Sequence, residues 1–160
     1  MAIIRNGSVP AKSGSNYPAS FADLGAFSAM ALSDAGGLTQ FGVHHETLMP
    51  GATSSQRHWH EQEDEFLYVL TGTLTLIDDD GTHTLDPGDA VTWQAGVANA
   101  HHVTNTSEAP VSYLIMGTRS KSETGHYPDI DLKFVRTDGK GAYFHKDGTP
   151  YPSKKDQQND

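Results

Sequence analysis

Cysteine is absent from this sequence of 160 residues, and its absence excludes several kinds of chemistry. Without thiols the chain has no disulfide framework, no thiolate metal site, no iron–sulfur cluster and no cysteine nucleophile. Any metal ion must therefore be bound through nitrogen and oxygen atoms. Nine histidines, a large number for this length, could supply the nitrogen ligands.

Basic residues and long apolar segments are also scarce, which narrows the range of partners. Eleven lysines and arginines stand against twenty aspartates and glutamates, so the formal net charge is −9. That sign disfavours nucleic acid and anionic membrane surfaces as partners. No apolar run approaches the roughly twenty residues of a spanning helix, and the first residues lack the apolar region of a signal peptide. We therefore expect one cytoplasmic domain that binds neither membranes nor nucleic acid.

Short apolar segments separated by turn residues predict an all-β fold. Sixteen glycines, eight prolines and a hydrophobic fraction of 36% are typical of a protein rich in turns. The strand at 66–70 is apolar at every position, so both of its faces must be covered. Close spacing of the strands favours an antiparallel sandwich or barrel, with strands at 26–32, 38–49, 66–70, 74–77, 82–85, 90–93, 101–105 and 111–117.

The two ends of the chain differ in composition from this centre. Residues 1–25 are rich in Gly, Ser, Pro and Asn, and we expect them to lie over the surface as an arm. Residues 44–118 contain eleven acidic residues and one cation, Arg57, whereas residues 119–155 contain eight cations and five acidic residues. We therefore interpret residues 119–160 as a C-terminal extension, of which residues 154–160 should fray.

Two histidines, His58 and His60, begin the segment with the clearest chemical content. Residues i and i+2 of an extended strand point to the same face, so both imidazoles can reach one point. Glu65 opens the next apolar strand and can reach that point if the two strands pair antiparallel, and His101 on a later strand could add a third imidazole. Such a set suits a divalent Mn, Fe, Co, Ni or Zn ion and favours none of them.

Each of these residues also has a plainer interpretation. The segment 58–65 could be a solvated acidic loop whose histidines are exposed and bind no metal. Asp64 competes with Glu65 for the role of carboxylate ligand. We prefer Glu65, because it shares a strand face with Leu67 and Val69.

The same residues stand in an arrangement that resembles the two motifs of the cupin superfamily. The first motif is a glycine, five residues, His-x-His, three or four residues, Glu, six residues and glycine. The second is glycine, five residues, Pro-x-Gly, two residues, His, three residues and Asn. The matching positions are Gly51, His58, His60, Glu65 and Gly72 for the first motif and Gly88, Gly96, His101 and Asn105 for the second. The sequence departs from the pattern by one extra residue after Gly51, Gln94 in place of proline, and two extra residues before His101.

The resemblance implies a double-stranded β-helix, a jelly-roll cupin barrel over about residues 38–118, with one divalent metal ion near its open end. It implies that the metal ligands are His58, His60, Glu65 and His101. Compact cupins of this outline are often labelled sugar-phosphate isomerases. The resemblance thus implies a metal-dependent enzyme, an isomerase or epimerase of a sugar or sugar phosphate, with a dioxygenase or a non-catalytic sugar-binding module as the alternative.

The charge distribution bears on whether the substrate carries a phosphate. A phosphate needs lysine, arginine or backbone donors, and strand alternation beside an inward His58 turns Arg57 outward. Arg119, Lys121 or another cation of the extension would have to supply the charge. A neutral polyol or a hydroxy-carbonyl substrate fits the composition of the barrel better.

Three further residues, Gln56, His44 and Tyr113, are candidates to line the barrel cavity. Gln56 shares strand parity with His58 and His60. His44 or His45 on the preceding strand and Tyr68 or Tyr113 on later strands carry groups that can transfer protons, and each also suits a position in the core or on the sheet surface.

The apolar strand at 66–70 also bears on assembly. Either the N-terminal arm or a second subunit could cover its outer face. Because cupins commonly pair through sheet faces, we expect a homodimer.

Overall fold

The computed structural model describes residues 1–152, and its regular secondary structure consists almost entirely of antiparallel strands. Helix is limited there to a 3-10 turn at Ala19–Phe21 and a single turn, α1, at Leu32–Ala35. Neither is long and apolar enough to cross a membrane. The residues expected to fray, 154–160, lie outside the described range. Twelve strands are present in that range: β1 Phe27–Ala31, β2 Phe41–Leu48, β3 Trp59–His60, β4 Glu65–Thr71, β5 Leu74–Asp78, β6 Gly81–Leu85, β7 Ala90–Trp93, β8 His102–Thr104, β9 Val111–Thr118, β10 Glu123–Tyr127, β11 Leu132–Thr137 and β12 Lys140–Phe144.

The strands form two walls that face each other across the core. One wall is a five-stranded sheet in the order β1-β2-β9-β4-β7. The other contains a four-stranded sheet, β12-β11-β10-β3, and a three-stranded sheet, β6-β5-β8, which meet at an isolated bridge between His58 and His101. The prediction of an all-β, double-stranded β-helix is confirmed, and the eight predicted strands correspond to β1, β2 and β4 to β9.

The core lies between the walls because inward and outward side chains alternate along each strand. In β4, Leu67 and Val69 are 1% exposed, whereas Tyr68 between them is 39% exposed. Full burial of an aliphatic side chain contributes about 1.5–3 kcal/mol. Both walls contribute to one hydrophobic cluster of buried residues: Leu48, Ala52, Leu67, Val69, Leu74, Leu76, Leu85, Val103, Val111 and Tyr113.

Two residues of the sequence motifs fix the backbone at turns. Gly72 has a φ of 72°, and a Cβ atom there would lie 3.1 Å from the carbonyl oxygen of Pro110. Only glycine meets both conditions without strain. Asn105 is fully buried, and its Nδ2 donates hydrogen bonds to the carbonyl oxygens of Leu48 and Ala109 at 2.9 and 2.8 Å.

The N-terminal arm and the C-terminal extension meet in a second hydrophobic cluster. Its buried members are Tyr17 and Leu24 from the arm and Tyr127 and Leu132 from the extension. The rings of Tyr17 and Tyr127 pack edge to face, with centroids 5.7 Å apart. The arm is therefore anchored by aromatic packing on the extension.

The extension also completes the wall that carries the histidines. β10, β11 and β12 pair antiparallel in sequence order, and β10 pairs in turn with β3. In that register Gly125 lies opposite His60. Residues outside the predicted barrel thus form the strand next to a predicted metal ligand.

Candidate metal centre

The structure brings the four predicted metal ligands together inside the barrel. Ligand atoms of His58, His60 and Glu65 all lie within 4.8 Å of one another. His101 adjoins this group, since its Nε2 is 2.9 Å from Oε2 of Glu65. The same carboxylate oxygen is 3.7 Å from Nε2 of His60.

The route by which these side chains converge differs from the one that the sequence suggested. From the sequence we considered antiparallel pairing between the strand of Glu65 and the strand of the histidines, but β4 lies between β7 and β9, and β3 pairs with β10. The three imidazoles belong to one wall and Glu65 to the other. Facing sheets pack about 10 Å apart, so inward side chains from opposite walls meet without any strand pairing between them.

Burial and local charges set the protonation of this group. Burial lowers the pKa of His58 to about 4, so its imidazole is neutral at pH 7. Burial also opposes ionisation of Glu65, but its close contact with His101 and the nearby His60 outweigh burial and lower the pKa of Glu65 to about 2. Neutral imidazole and ionised carboxylate are the forms in which these groups bind a metal ion.

Backbone carbonyls fix the tautomers of two histidines in a way that fits a cation. Nδ1 of His58 is 2.9 Å from the carbonyl oxygen of Gln56, and Nδ1 of His101 is 3.1 Å from that of Asn99. Because a carbonyl oxygen only accepts, both Nδ1 atoms carry hydrogen and both Nε2 atoms are left as ligands. Nε2 of His101 then points at the carboxylate of Glu65, and a divalent cation would bind both groups.

His60 faces a second carboxylate that the sequence patterns did not indicate. Its Nδ1 is buried without a hydrogen bond, and Oε1 of Glu123 lies 3.6 Å away. Glu123 is 2% exposed, and its two oxygens accept hydrogen bonds from the backbone N–H groups of Glu61 and Gln62. Burial would raise the pKa of Glu123, but its contact with His60 outweighs burial and lowers that pKa. The carboxylate is thus held rigidly behind the imidazole.

The barrel cavity has a volume of about 140 Å³ and contains one of the three predicted lining residues, Tyr113. Gln56 is not among its lining residues, because it lies in a bend before β3, where strand alternation does not apply. Its Nε2 instead donates a hydrogen bond to the carbonyl oxygen of Phe21 at 3.1 Å. His44 lines a neighbouring cavity, described below.

Four polar residues of the barrel cavity were missed at the sequence level: Glu46, Ser54, Ser55 and His102. Oε2 of Glu46 accepts a hydrogen bond of 2.6 Å from the hydroxyl of Tyr113, and its Oε1 lies 3.7 Å from Nδ1 of His44. The parity of β2 could have indicated Glu46, since it stands two residues after His44. Apolar side chains form the rest of the cavity lining. Among them, Trp93 stacks on His101 with ring centroids 3.9 Å apart.

A second cavity, of about 400 Å³, opens beside the first, and we call it the mouth cavity. Glu65 and Ile115 line both cavities. The mouth cavity also contains His44 and Glu63 together with Arg119 and Arg136 of the extension. Its full lining is Gly42, His44, Glu63, Glu65, Ile115, Gly117, Thr118, Arg119, Ser120, Arg136 and Gly139.

A jelly-roll barrel with three histidines and a glutamate gathered inside it is typical of the cupins, and comparison with known proteins agrees. Residues 44–117 match the Cupin_2 family, a cupin domain. A solved structure from Silicibacter pomeroyi, named as a sugar phosphate isomerase from a cupin superfamily, is 39% identical to this chain in sequence. The two structures superpose with a TM-score of 0.87, and the match covers 94% of this chain and 97% of that chain. This chain therefore belongs to the cupin superfamily.

Two more distant structures give the same fold. A candidate sugar phosphate isomerase from Acidithiobacillus ferrooxidans is 27% identical, with a TM-score of 0.71 over 80% of this chain and 81% of that chain. A predicted oxalate decarboxylase from Thermotoga maritima is 19% identical, with a TM-score of 0.61 over 74% of this chain and all of that chain, and supports the fold alone. No curated protein matches the chain.

Proposed function

We propose that this cupin is a metal-dependent isomerase or epimerase of a small sugar or sugar phosphate. The observation that carries the proposal is the convergence of His58, His60, Glu65 and His101 beside a cavity that holds another carboxylate, Glu46. The similarity to two proteins named as sugar phosphate isomerases supports the same reaction class. A divalent ion at these ligands would polarise a carbonyl and stabilise an enediolate.

Glu46 is suited to move the proton in such a reaction. Isomerisation takes a proton from the carbon next to a carbonyl and returns it to the former carbonyl carbon, without net oxidation, so one carboxylate on one face of the enediolate can perform both steps. Epimerisation returns the proton to the opposite face and would need a second proton donor. Tyr113 is buried, which raises its pKa well above the ordinary value, so it remains a hydrogen-bond donor to Glu46. This bond holds the carboxylate in place at the cavity wall.

The apolar part of the cavity supports the same chemistry. Leu67, Trp93, Val103 and Ile115 line it together with the polar residues. Exclusion of water by such side chains strengthens the electrostatic interactions of Glu46 with a bound substrate. It also protects an enediolate from stray protonation.

Proton exchange with solvent provides the test. Protein stripped with a chelator and reloaded with Mn, Fe, Co, Ni or Zn would be incubated in D₂O with aldoses, ketoses and their phosphates. We expect metal-dependent isomerisation, with deuterium entering at the carbon next to the carbonyl. Glu46→Gln should slow exchange by about 10²–10⁴-fold and leave metal affinity unchanged.

Two results would contradict this proposal and favour another function. Sugar binding without exchange, with every ion, would favour a non-catalytic binding module. Consumption of O₂ with a diketone or thiol substrate would favour a dioxygenase.

A further inference from the structure

We infer that the mouth cavity is an anion subsite in which Arg119 and Arg136 bind the phosphate group of the substrate. The inference deepens the proposed function and rests on it for the identity of the sugar. The binding of a phosphate at this place can be tested without turnover.

The floor of the mouth cavity is a space left open by two glycines. Gly42 of β2 lies opposite Gly117 of β9, and Gly117 lies opposite Glu65 of β4. Neither glycine has a positive φ, so the backbone does not require glycine at these positions. A Cβ atom on Gly117 would lie 3.8 Å from Cγ of Glu65, and one on Gly42 would lie 3.4 Å from Nη2 of Arg119. Larger side chains there would fill the space between the carboxylate and the guanidinium.

Both arginines retain donors for a ligand. Arg136 donates hydrogen bonds from Nη1 to Glu63 at 2.5 Å and to the carbonyl oxygen of Ser120 at 3.1 Å. Arg119 donates from Nη2 to Asp34 at 2.5 Å and from Nη1 to the carbonyl oxygen of Leu38 at 3.2 Å. A guanidinium has five N–H donors in a planar fork that matches a phosphate. The Nε–Nη2 edge of Arg136 makes none of the hydrogen bonds found among the described residues.

The charges of the cavity also favour an anion once a metal ion is present. Oε1 of Glu63 is already satisfied by Arg136 and by the backbone N–H of Ser120 at 2.7 Å. Glu65 faces His101 and would be neutralised by the metal ion. Arg57, the one cation of residues 44–118, forms ion pairs with acidic residues and does not line this cavity. The extension therefore supplies the positive charge that the barrel lacks.

Titration of phosphate provides the test. Inorganic phosphate and a linear polyol phosphate would be added to the metal-stripped and the Zn²⁺-loaded full-length protein, with the unphosphorylated polyol as a reference. Binding would be measured by calorimetry and by the ¹⁵N resonances of the arginine Nε–H groups. We expect phosphate to shift the resonances of Arg119 and Arg136, and not that of Arg57.

Substitutions identify the groups responsible. Arg119→Met and Arg136→Met should each weaken the binding of the polyol phosphate at least tenfold and leave the polyol unaffected. Lys12→Gln is the matched control, because it also removes one positive charge. Lys12 is an exposed residue of the arm, paired through its backbone with β1, and does not line the mouth cavity. Gly117→Val keeps both arginines, fills the space, and should weaken binding to the same degree.

Unchanged phosphate affinity in Arg136→Met and Gly117→Val, with both proteins folded by circular dichroism, would overturn the inference. If Arg119→Met does not fold, the phosphate affinities of Arg136→Met and Gly117→Val and the resonance shifts would still test the inference. Arginine-dependent phosphate binding without isomerisation would refute the proposed function and leave the subsite standing. Isomerisation of sugars with no arginine-dependent phosphate binding would refute the anion subsite and leave the proposed function standing.

Discussion

The imidazole of His101 lies between two groups that both accept hydrogen bonds. Its Nδ1 donates to the carbonyl oxygen of Asn99, and its Nε2 is 2.9 Å from an ionised Glu65. Trp93 stacks on the ring and restricts its rotation. His58, His60, Glu65 and His101 would together hold a divalent ion, which would satisfy both Nε2 of His101 and the carboxylate. The position of His101 between two acceptors therefore explains why this cluster would bind a cation.

Glu65→Gln tests that explanation, since it keeps the size of the side chain and removes its charge. We expect metal affinity to fall at least tenfold, a loss of about 1.4 kcal/mol or more. Competition with a chromophoric chelator would measure the affinity. Asp64→Asn is the matched control, because Asp64 accepts a hydrogen bond from the backbone N–H of Ala95 and is not in the ligand group. A loss confined to Asp64→Asn would reverse the assignment.

Glu123→Gln tests whether the buried carboxylate positions His60. A carboxylate behind a ligating imidazole orients the ring and raises its basicity, and loss of such a partner lowers metal affinity by about 10–100-fold. We expect a loss in that range, together with a change in the ¹⁵N resonance of Nδ1 of His60 in the metal-free protein. Glu108→Gln, at an exposed position, should change neither quantity.

A purely structural role of Glu123 would give another pattern. Glu123→Gln would then lower the free energy of unfolding, because two backbone N–H groups lose a charged acceptor. The His60 resonance and the metal affinity would stay as in the original protein.

The candidate site was only partly predictable from sequence, for reasons of geometry. The four ligand candidates could be found because His58 and His60 have strand spacing and the two motifs place Glu65 and His101. Glu123 could not be found in this way, because β10 lies beside β3 through a pairing that no local pattern encodes. The prediction that Gln56 lines the cavity was wrong because Gln56 lies in the bend before β3, where the alternation of a strand does not apply.

At the level of elements, the barrel strands were predictable and the hairpin of the extension was not. Strands such as β4 and β5 are apolar segments bounded by turn residues, which is the strongest local signal for a strand. The buried positions of β10 are Glu123, Gly125 and Tyr127, so its inward face has no hydrophobic period. It is buried because the arm and the rest of the hairpin cover it.

Gly141→Ala tests how firmly the hairpin of β11 and β12 is packed. A Cβ atom at position 141 would lie 2.4 Å from Cζ of Phe134, so the ring must move. That ring contacts Tyr143 and lies 5.3 Å from the guanidinium carbon of Arg136. Overpacking of this kind costs about 1–3 kcal/mol, which chemical denaturation would measure.

Lys140→Ala is the control for that substitution, because it changes an exposed neighbour in the same strand. It should leave the free energy of unfolding within about 0.5 kcal/mol of the original value. Equal stability of Gly141→Ala and the original protein would mean that the ring of Phe134 shifts at no cost.

At the scale of the whole molecule, the outer face of the five-stranded sheet is only partly covered by the described part of the chain. On β4 this face carries Phe66, Tyr68 and Leu70, and on β9 Met116 lies opposite Phe66. Tyr68 is 39% exposed, which is unusual for the middle of an apolar strand. The arm bridges β1, which is separated from β4 by β2 and β9. The bridge of the arm to this sheet is thus two strands away from β4, which favours the second subunit as the cover.

We propose that a second copy of the chain covers this face and that the protein is a homodimer related by a two-fold axis. Light scattering should then give twice the chain mass of 17.3 kDa. Tyr68→Arg places a charge in the apolar face and should yield the single-chain mass, because an unpaired charge is costly to bury. Thr82→Arg adds the same charge at an exposed position of β6, in the opposite wall, and should leave the dimer intact. A single-chain mass for the original protein would exclude this assembly, and dissociation by Thr82→Arg alone would move the contact to the opposite wall.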